Sequence, residues 1–255
     1  MFRVVIPARY GSTRLAVKAL APIQGKPMVQ WVHERAGASA ASEVWVATDH
    51  VEIAAVVSRF GGRAVLTSPA HASGTDRIAE VAARLEWSPD DIVVNLQGDE
   101  PMMPAELIDQ VAALLETDPH AQISTLSAPI RSIEEFLDPN VVKVCVGSQG
   151  TALYFSRAPI PWSREAPPGP GSATPGSYGG ARRHIGLYAY RCGALMRLAS
   201  LPQTPLEALE KLEQLRALES GIPIRVADAC RPAGQDVNTA ADLDRIRKLL
   251  QPAAG

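Results

Sequence analysis

The feature that most constrains the fold is an alternation, in the first half of the chain, between short β-branched runs and amphipathic helical stretches. The predicted strands cover residues 3–6, 43–47, 64–66 and 92–96, and the predicted helices between them cover residues 28–36, 51–60 and 77–85. Such alternation is typical of a parallel sheet covered by helices. Ligands of these sheets bind outside the carboxyl ends of the strands, so functional residues are expected in the loops after Ile6, Ala47 and Leu96.

The second half of the chain predicts a mixed extension of this sheet. Residues 141–146 and 152–155 predict a hairpin around a Gly-Ser-Gln-Gly turn, and residues 184–190 predict a further strand. Residues 205–218 predict one helix with leucines along one face, and residues 240–250 predict a terminal helix. We therefore expect an α/β chain with a mostly parallel mixed sheet.

Composition narrows the class of protein. A chain of 255 residues with 46% hydrophobic residues can form one large domain, and its 25 basic and 27 acidic residues nearly cancel, so no nucleic-acid partner is expected. The apolar start is too short for a signal peptide and no apolar run approaches the roughly 18 residues of a membrane span. We expect a cytoplasmic protein with no membrane partner. The spacing of Cys145, Cys192 and Cys230 disfavours disulfides and structural zinc.

The loop after the first predicted strand concentrates cations and hydroxyl groups where a parallel sheet binds phosphate. Arg9, Arg14 and Lys18 can pair with phosphate oxygens, and Gly11 lets backbone N–H groups approach closely. The loop matches neither the P-loop motif nor the dinucleotide-binding fingerprint. It therefore predicts phosphate binding of another type, with a solvated basic loop as the alternative.

An acidic pair, Asp99 and Glu100, follows the predicted strand 92–96. Mg²⁺ prefers oxygen ligands and usually takes one or two carboxylates together with substrate phosphates. The pair therefore predicts a magnesium site on Asp99. The alternative is that both carboxylates cap a helix that follows Pro101.

The segment before the predicted helix 77–85 has two interpretations. Ser73 and Asp76 have the spacing of a capping box, which would be a structural feature alone. Capping does not explain Gly74 or Arg77, and exposed N–H groups at the start of a helix can bind a phosphate or a base edge. Capping and ligand binding both stay open.

Eight different short motifs are spread along nearly the whole chain: Pro7-Ala8-Arg9, Ser12-Thr13-Arg14-Leu15, Gly25-Lys26-Pro27-Met28, Ala47-Thr48-Asp49, Ser73-Gly74-Thr75, Gln97-Gly98-Asp99-Glu100-Pro101, Tyr154-Phe155-Ser156-Arg157 and Arg183-His184-Ile185-Gly186. In this order and spacing they resemble the 3-deoxy-manno-octulosonate cytidylyltransferases, the CMP-Kdo synthetase family. The resemblance implies a Rossmann-like three-layer nucleotide-sugar transferase fold, a homodimer and a role in lipopolysaccharide biosynthesis. It also implies transfer of CMP from CTP to the C2 hydroxyl of Kdo, with Mg²⁺ as cofactor and release of pyrophosphate.

The resemblance further implies a division of the single domain 1–255. Residues 1–125 would form the nucleotide-binding half, residues 126–230 the sugar-acid and dimerisation part, and residues 231–255 a terminal metal-site turn and helix. The residues expected near the nucleotide are Ala8, Arg9, Ser12, Arg14, Lys18, Ser73, Gly74, Thr75, Arg77 and Gln97. Those expected near the sugar acid are Arg157, His184, Tyr188, Glu213 and Gln214.

The expected catalytic set is Arg9, Arg14, Lys18 and Asp99, which would position the phosphates and stabilise their charge, with magnesium on Asp99. Two of the sugar-acid assignments have structural alternatives. Without the resemblance, a histidine in an apolar strand such as His184 is more often a structural residue, and Glu213 would be an ordinary solvated helix residue.

Two positions depart from the family pattern. Ala16 stands where the family has a proline, which loosens the loop that carries Lys18. Asn238 stands where the family has a second aspartate ligand of the metal, and an amide oxygen brings no negative charge. Asp236 is the possible substitute. Thr239 and Asp242 have the spacing of a capping box for the terminal helix, so the alternative is that Asn238 belongs to the turn before that helix. The alternatives are a cytidylyltransferase for another sugar acid, such as sialic acid or an amino-substituted octulosonate, and a CTP-binding protein with weakened catalysis.

Overall fold

The computed structural model describes residues 1–11, 17–71, 73–164 and 180–251. The strands of this part of the chain are β1 (Phe2–Ala8), β2 (Pro22–Ile23), β3 (Lys26–Pro27), β4 (Glu43–Thr48), β5 (Arg63–Leu66), β6 (Ile92–Asn95), β7 (Ile123–Pro129), β8 (Lys143–Val146), β9 (Ala152–Ser156), β10 (Arg182–Arg191) and β11 (Ile224–Asp228). Its α-helices are α1 (Met28–Gly37), α2 (Val51–Arg59), α3 (Gly74–Arg84), α4 (Ala105–Glu116), α5 (Ile133–Leu137), α6 (Cys192–Ser200), α7 (Pro205–Glu210), α8 (Gln214–Glu219) and α9 (Ala240–Leu249).

One large mixed sheet organises the chain. Its strand order is β11-β7-β10-β6-β1-β4-β5, with β8 against β10 and β9 against β8. The strands from β6 to β5 are parallel to one another, as are β11 and β7, whereas β10 runs antiparallel to its neighbours β6, β7 and β8. The predicted α/β fold is confirmed, and so is the hairpin, which β8 and β9 form.

The parallel strands end at one edge of the sheet, as the sequence predicts. Ala8 at the end of β1 pairs with Thr48 at the end of β4, and Val5 of β1 pairs with Asn95 at the end of β6. Since β4 and β6 lie on opposite sides of β1, the strand order reverses at β1. A crevice for a ligand opens at such a reversal, beyond the carboxyl ends of the strands.

Helices cover both faces of the sheet and make a three-layer fold. Val4 and Ile6 of β1 pack into a cluster with residues of α1, α2 and α4, whereas Val5 points to the opposite face and packs with residues of α3, α6 and α8. All three side chains are fully buried. Burial of a Val or Ile side chain is worth about 1.5–3 kcal/mol, so the alternation along β1 fixes which helices lie on each face.

The prediction of one helix over residues 205–218 is wrong. The chain forms two short helices, α7 and α8, because Lys211 adopts a left-handed conformation with φ of 55° and ends α7. Leu209 is 78% exposed, so the leucines do not share one buried face. Arg216 of α8 donates to both carboxylate oxygens of Glu207 of α7, at 2.8 and 2.5 Å, which holds the two helices together. The break places Glu213 at the start of α8 rather than in the middle of a helix.

The terminal helix and its cap are confirmed. Thr239 precedes α9, and its side chain and that of Asp242 form the reciprocal hydrogen bonds of a capping box. Within the described ranges, no helix is long and apolar enough to cross a membrane.

Candidate functional site

Two adjoining cavities lie at the carboxyl edge of the sheet. Cavity I has a volume of about 280 Å³ and lies between the loop after β1, the loop after β6 and the start of α3. Of the residues predicted to bind nucleotide or metal, it brings together Ala8, Arg9, Lys18, Ser73, Gly74, Arg77, Gln97 and Asp99. Glu213 and His71 also line it. Ser12, Arg14 and Ala16 lie outside the described residues.

Lys18 joins three segments at the floor of cavity I. Its Nζ donates to Asp99 Oδ2 at 2.6 Å and to the Val237 carbonyl at 2.9 Å. The Val237 N–H in turn donates to the Asp99 carbonyl at 2.9 Å. The side chains of Lys18 and Asp99 are 20% and 26% exposed, so both remain accessible to a ligand in the cavity. A phosphate bound there would compete with Asp99 for the ammonium group.

Arg77 is anchored rather than free in the cavity. It is only 3% exposed, and its guanidinium donates to Thr67 Oγ1 at 2.5 Å and to Asp49 Oδ2 at 3.2 Å. Asp49 Oδ1 accepts from the backbone N–H of Tyr10 at 2.9 Å, and the Tyr10 ring stacks on His50 at 3.7 Å between centroids. Asp49 therefore ties the loop after β1 to the guanidinium of Arg77.

Both interpretations of the segment before α3 find support in the geometry. Ser73 Oγ accepts from the Asp76 N–H at 3.1 Å, so Ser73 caps α3. Ser73 and Gly74 also line cavity I. A Cβ on Gly74 would lie 3.2 Å from Pro7 Cγ, and one on Gly98 would lie 2.7 Å from the Pro7 carbonyl oxygen. Glycine at these two positions lets the loops that surround the cavity approach β1.

Glu100 carries an unpaired carboxylate oxygen next to Asp99. Its Oε2 atom is buried, and no hydrogen-bond partner for it exists in the described part of the chain. Burial raises the pKa of Glu100 to about 8, and the nearby charges of Asp99 and Asp236 contribute to the rise. The alternative role of this pair as a helix cap after Pro101 is wrong, because α4 begins at Ala105 and has no side-chain cap.

The donor set at this position fits a cation only in part. Asp99 and the unpaired Glu100 oxygen are hard ligands of the kind that Mg²⁺ prefers. Across the described ranges, no group of three or more His, Cys, Asp and Glu side chains is arranged to hold a metal ion. A magnesium ion here would therefore need phosphate oxygens of a bound nucleotide among its ligands.

The segment that departs from the family pattern contacts the loop of Asp99. The Asn238 side chain donates to Asp236 Oδ2 at 2.5 Å, and the Asn238 backbone N–H donates to Asp242 Oδ2 at 3.2 Å. The charge of Asp236 contributes to the raised pKa of Glu100, which indicates that Asp236 lies near the acidic pair. The amide of Asn238 and the carboxylate of Asp236 thus form one polar group beside Asp99.

Cavity II has a volume of about 320 Å³ and lies over β6 and β10, against the start of α8. The predicted residues among those that line it are Thr75, Gln97, His184, Tyr188, Glu213 and Gln214. Gln97 and Glu213 also line cavity I, so the two cavities meet at these side chains. Thr75 Oγ1 donates to Glu213 Oε2 at 2.8 Å, and Gln97 Nε2 donates to Asn95 Oδ1 at 3.1 Å.

His184 is a neutral hydrogen-bonding group on the wall of cavity II. Its Nε2 lies 2.9 Å from Thr125 Oγ1, and its ring contacts Phe155 edge-on at 5.0 Å and Tyr188 at 5.1 Å. Burial lowers the pKa of His184 to about 3, and the charge of Arg183 contributes to the fall. The ring therefore has structural contacts and also faces the cavity, so neither interpretation excludes the other.

Tyr188 and Glu213 offer polar groups to cavity II. Tyr188 is 8% exposed, and its buried hydroxyl has no hydrogen-bond partner among the residues that the structure describes. Glu213 is open to the cavity space, yet protein surrounds its carboxylate closely enough that desolvation raises its pKa, with a hydrogen bond from Thr75 opposing the shift. A ligand with several hydroxyl groups could satisfy both side chains.

Arg157 is not among the residues that line either cavity. Its backbone N–H donates to Glu210 Oε2 at 2.8 Å, its Nε donates to the Glu210 carbonyl at 2.7 Å and its Nη1 donates to the Pro139 carbonyl at 2.9 Å. Its own carbonyl accepts from the buried ammonium of Lys143 at 2.7 Å. In this structure, Arg157 holds a loop against α7 rather than facing either cavity.

Sequence reasoning missed several side chains of the site. Asn95 and Tyr190 line cavity II, His71 lines cavity I and Asp49 anchors the loop after β1. Asn95 lies at the end of a predicted strand and Asp49 in a recognised motif, so their positions carried a signal. Tyr190 lies two residues after Tyr188 in a predicted strand and so shares its face, whereas His71 had no signal beyond its proximity to Ser73.

The cytidylyltransferase family model matches residues 3–225 of the chain. The chain belongs to this family. A relative from Thioalkalivibrio sulfidiphilus, named 3-deoxy-manno-octulosonate cytidylyltransferase, is 52% identical over 98% of this chain and 99% of its own length. A relative of the same name from Cellvibrio japonicus is 50% identical over 98% of each chain.

Solved structures agree with this assignment. A CMP:2-keto-3-deoxy-manno-octonic acid synthetase complexed with CTP matches with a TM-score of 0.88 and 42% identity, and covers 97% of both chains. A cytidylyltransferase from Leptospira borgpetersenii matches with a TM-score of 0.61 and 17% identity over 96% of this chain and 84% of its own, which supports the fold alone. The resemblance to the CMP-Kdo synthetases and the nucleotide-sugar transferase fold that it implied are thereby confirmed.

Proposed function

We propose that this chain transfers CMP from CTP to the C2 hydroxyl of 3-deoxy-D-manno-octulosonate and releases pyrophosphate. The observation that carries the proposal is the meeting of two cavities of different chemistry at Gln97 and Glu213. Cavity I carries the cations expected for a triphosphate, whereas cavity II carries the hydrogen-bonding groups expected for a sugar, together with the ammonium group of Lys211 for its carboxylate. The relatives of about 50% identity and the neighbour complexed with CTP support the same substrates.

CTP in cavity I would place its phosphates against Arg9 and Lys18 and its remaining polar groups near the start of α3. The sugar acid in cavity II would meet the unpaired Tyr188 hydroxyl, the His184 ring and the Glu213 carboxyl group. The sugar hydroxyl oxygen then attacks the α-phosphorus and releases its proton to solvent, and the bond from that phosphorus to the bridging oxygen of the β-phosphate breaks, so that pyrophosphate leaves. Catalysis rests on positioning and on stabilisation of phosphate charge by the cationic side chains.

We also propose that Mg²⁺ is the cofactor and that Asp99 holds it together with the CTP phosphates. The unpaired oxygen of Glu100 supports a cation next to Asp99. When bound, the ion would neutralise part of the negative charge of the triphosphate. The Asn238 amide and the Asp236 carboxylate are the further oxygen donors on the segment that contacts Asp99.

A homodimer with a role in lipopolysaccharide biosynthesis remains a proposal that rests on the family resemblance, and a cytoplasmic location remains a proposal that rests on the sequence analysis. The division of the domain at residues 125 and 230 stays a prediction for the same reason.

The proposal is tested by pyrophosphate release from the full chain with CTP and Kdo over a magnesium series. Saturable release that requires both substrates is expected, with little release when sialic acid replaces Kdo. Lys18→Met serves as a variant that should lose affinity for CTP, with the exposed Lys248→Met as its matched control. Binding of CTP without release at any magnesium concentration would favour the alternative of a CTP-binding protein with lost catalysis.

A further inference from the structure

We propose that His71 is a further nucleotide-contacting residue of cavity I and that Glu80 is the positioning residue that orients its ring. This inference rests on the proposed function, because it takes CTP as the ligand of cavity I. It adds a histidine to the cations and backbone groups already assigned there.

His71 has the placement that such a contact requires. It lines cavity I together with Ser73, Gly74 and Arg77, and it precedes by two residues the Ser73 that caps α3. Its side chain is 22% exposed, so protein covers most of the ring and leaves a limited part open. A side chain held in this way has few rotamers left to lose when a ligand binds.

Glu80 holds the covered side of the ring. On the second turn of α3, its Oε2 accepts from the Ser68 N–H at 2.8 Å and contacts His71 Nε2, while its Oε1 pairs with Arg84. Desolvation opposes ionisation of Glu80, but the hydrogen bonds from Ser68 and His71 and the charge of Arg84 outweigh it and lower the pKa of this carboxyl group. Glu80 is therefore a carboxylate.

The carboxylate of Glu80 decides which ring nitrogen faces a ligand. An ionised carboxylate only accepts hydrogen bonds, so the Nε2 atom of His71 must carry the hydrogen of this contact. The Nδ1 atom is then the second polar atom of the ring, and the structure gives it no hydrogen bond to any described residue. That atom accepts a hydrogen bond in the neutral ring and donates one in the protonated ring, and a nucleotide offers partners of both kinds on its ribose, base and phosphates.

A purely structural role for His71 predicts different behaviour from conservative variants. The side-chain amide of His71→Gln can reach the position of Nε2 and keep the contact to Glu80, but it leaves no polar atom at the position of Nδ1. The amide of His71→Asn lies near the position of Nδ1 and is too short for Glu80. The two substitutions therefore separate the contact to the nucleotide from the contact to Glu80.

The test measures CTP and CMP binding by titration calorimetry and melting temperature by scanning fluorimetry on the full chain. We expect His71→Gln to melt close to wild type and to bind CTP roughly tenfold more weakly, the effect of losing one hydrogen bond to a charged or polar ligand. His71→Asn should bind more tightly than His71→Gln. A loss shared by CMP and CTP places the contact on the nucleoside monophosphate, and a loss for CTP alone places it on the outer phosphates.

Further variants test the positioning role of Glu80. Glu80→Gln should weaken CTP binding by about threefold. It should cause no additional loss in the His71→Gln background, because Glu80 acts on the nucleotide only through the ring of His71. It should leave the KM for Kdo unchanged. The exposed residues His120 and Glu86 supply the matched controls His120→Ala and Glu86→Gln, which should bind CTP as wild type does.

The outcomes separate this inference from the proposed function. If His71→Gln binds CTP like wild type while Lys18→Met does not, the proposed function stands and the role of His71 is overturned. If Glu80→Gln weakens binding further in the His71→Gln background, the positioning role is overturned. If the wild-type chain itself fails to bind CTP, the proposed function fails first.

Discussion

Replacing Asp49 with alanine removes the carboxylate that pairs with the buried guanidinium of Arg77. The side chains of Arg77 and Asp49 are 4% and 14% exposed, and their atoms Nη2 and Oδ2 lie 3.2 Å apart. Arg77 would keep its hydrogen bond to Thr67, and Tyr10 would lose the acceptor of its backbone N–H. The variant thus leaves a charged group in place without its counter-ion.

Loss of one partner of a buried ion pair costs about 3–5 kcal/mol, because the remaining charge stays desolvated. The hydrogen bond to Thr67 and the opening of cavity I towards Arg77 reduce this cost, so we expect about 3 kcal/mol. For a chain of this size, each kcal/mol lowers the melting temperature by about 2–4 °C. Asp49→Ala should therefore melt about 6–12 °C below wild type and should bind CTP more weakly.

The measurement is urea and thermal unfolding without nucleotide, with the exposed Asp90→Ala as control. The double variant Asp49→Leu with Arg77→Met replaces the pair by apolar side chains of similar size and should recover most of the lost stability, although not the affinity for CTP. A free energy of unfolding for Asp49→Ala within about 1 kcal/mol of wild type would refute the reasoning, since the pair would then be effectively solvated.

Three further predictions concern the acidic group and its loop. The pKa of Glu100 is 4.5 in the unfolded chain and about 8 in the folded chain. Between these pH values the folded chain keeps a proton that the unfolded chain releases, so the free energy of unfolding of the wild type falls as the pH rises. Without metal or nucleotide, Glu100→Gln should flatten this dependence in urea unfolding from about pH 5 to 8, and an unchanged slope would contradict it. Gly98→Ala places a Cβ 2.7 Å from the Pro7 carbonyl and should cost about 1–3 kcal/mol of stability, whereas an unchanged urea midpoint would show that the loop yields freely. Asn238→Asp should lower the magnesium concentration for half-maximal pyrophosphate release several-fold, and a higher requirement would show that the new charge only repels Asp236.

The position of the site was predictable because it follows from a simple geometric rule. Alternating strands and helices imply a parallel sheet, and the ends of parallel strands meet at one edge. Arg9 and Asp99 lie far apart in the sequence, yet each follows a strand of this sheet, and the rule correctly brings them to one cavity. The capping box of Thr239 and Asp242 was predictable for a similar reason, since a local spacing of three residues determines it.

Long-range contacts account for what the sequence did not predict. Lys211 has a good intrinsic helix propensity, yet the predicted helix breaks at this residue. The hydrogen bond from Arg216 to the Glu207 carboxylate joins the two helices across the break. Arg157 belongs to a recognised motif, but its guanidinium donates to the carbonyls of Glu210 and Pro139, and Arg157 does not line either cavity. No local residue spacing predicts either arrangement, because the partners come from separate segments that meet only in the folded chain.

The junction of the two cavities shows why the break at Lys211 matters for function. A transfer reaction requires the attacking oxygen to come within about 3–3.5 Å of the phosphorus, so the two substrates must meet with no protein wall between them. Gln97 and Glu213 are the predicted residues that line both cavities, and Glu213 reaches this position from the start of α8. In a continuous helix over residues 205–218, the axis of the preceding turns would have fixed the position of Glu213 instead. The left-handed residue thus places a carboxyl group at the point where the sugar hydroxyl must approach the nucleotide.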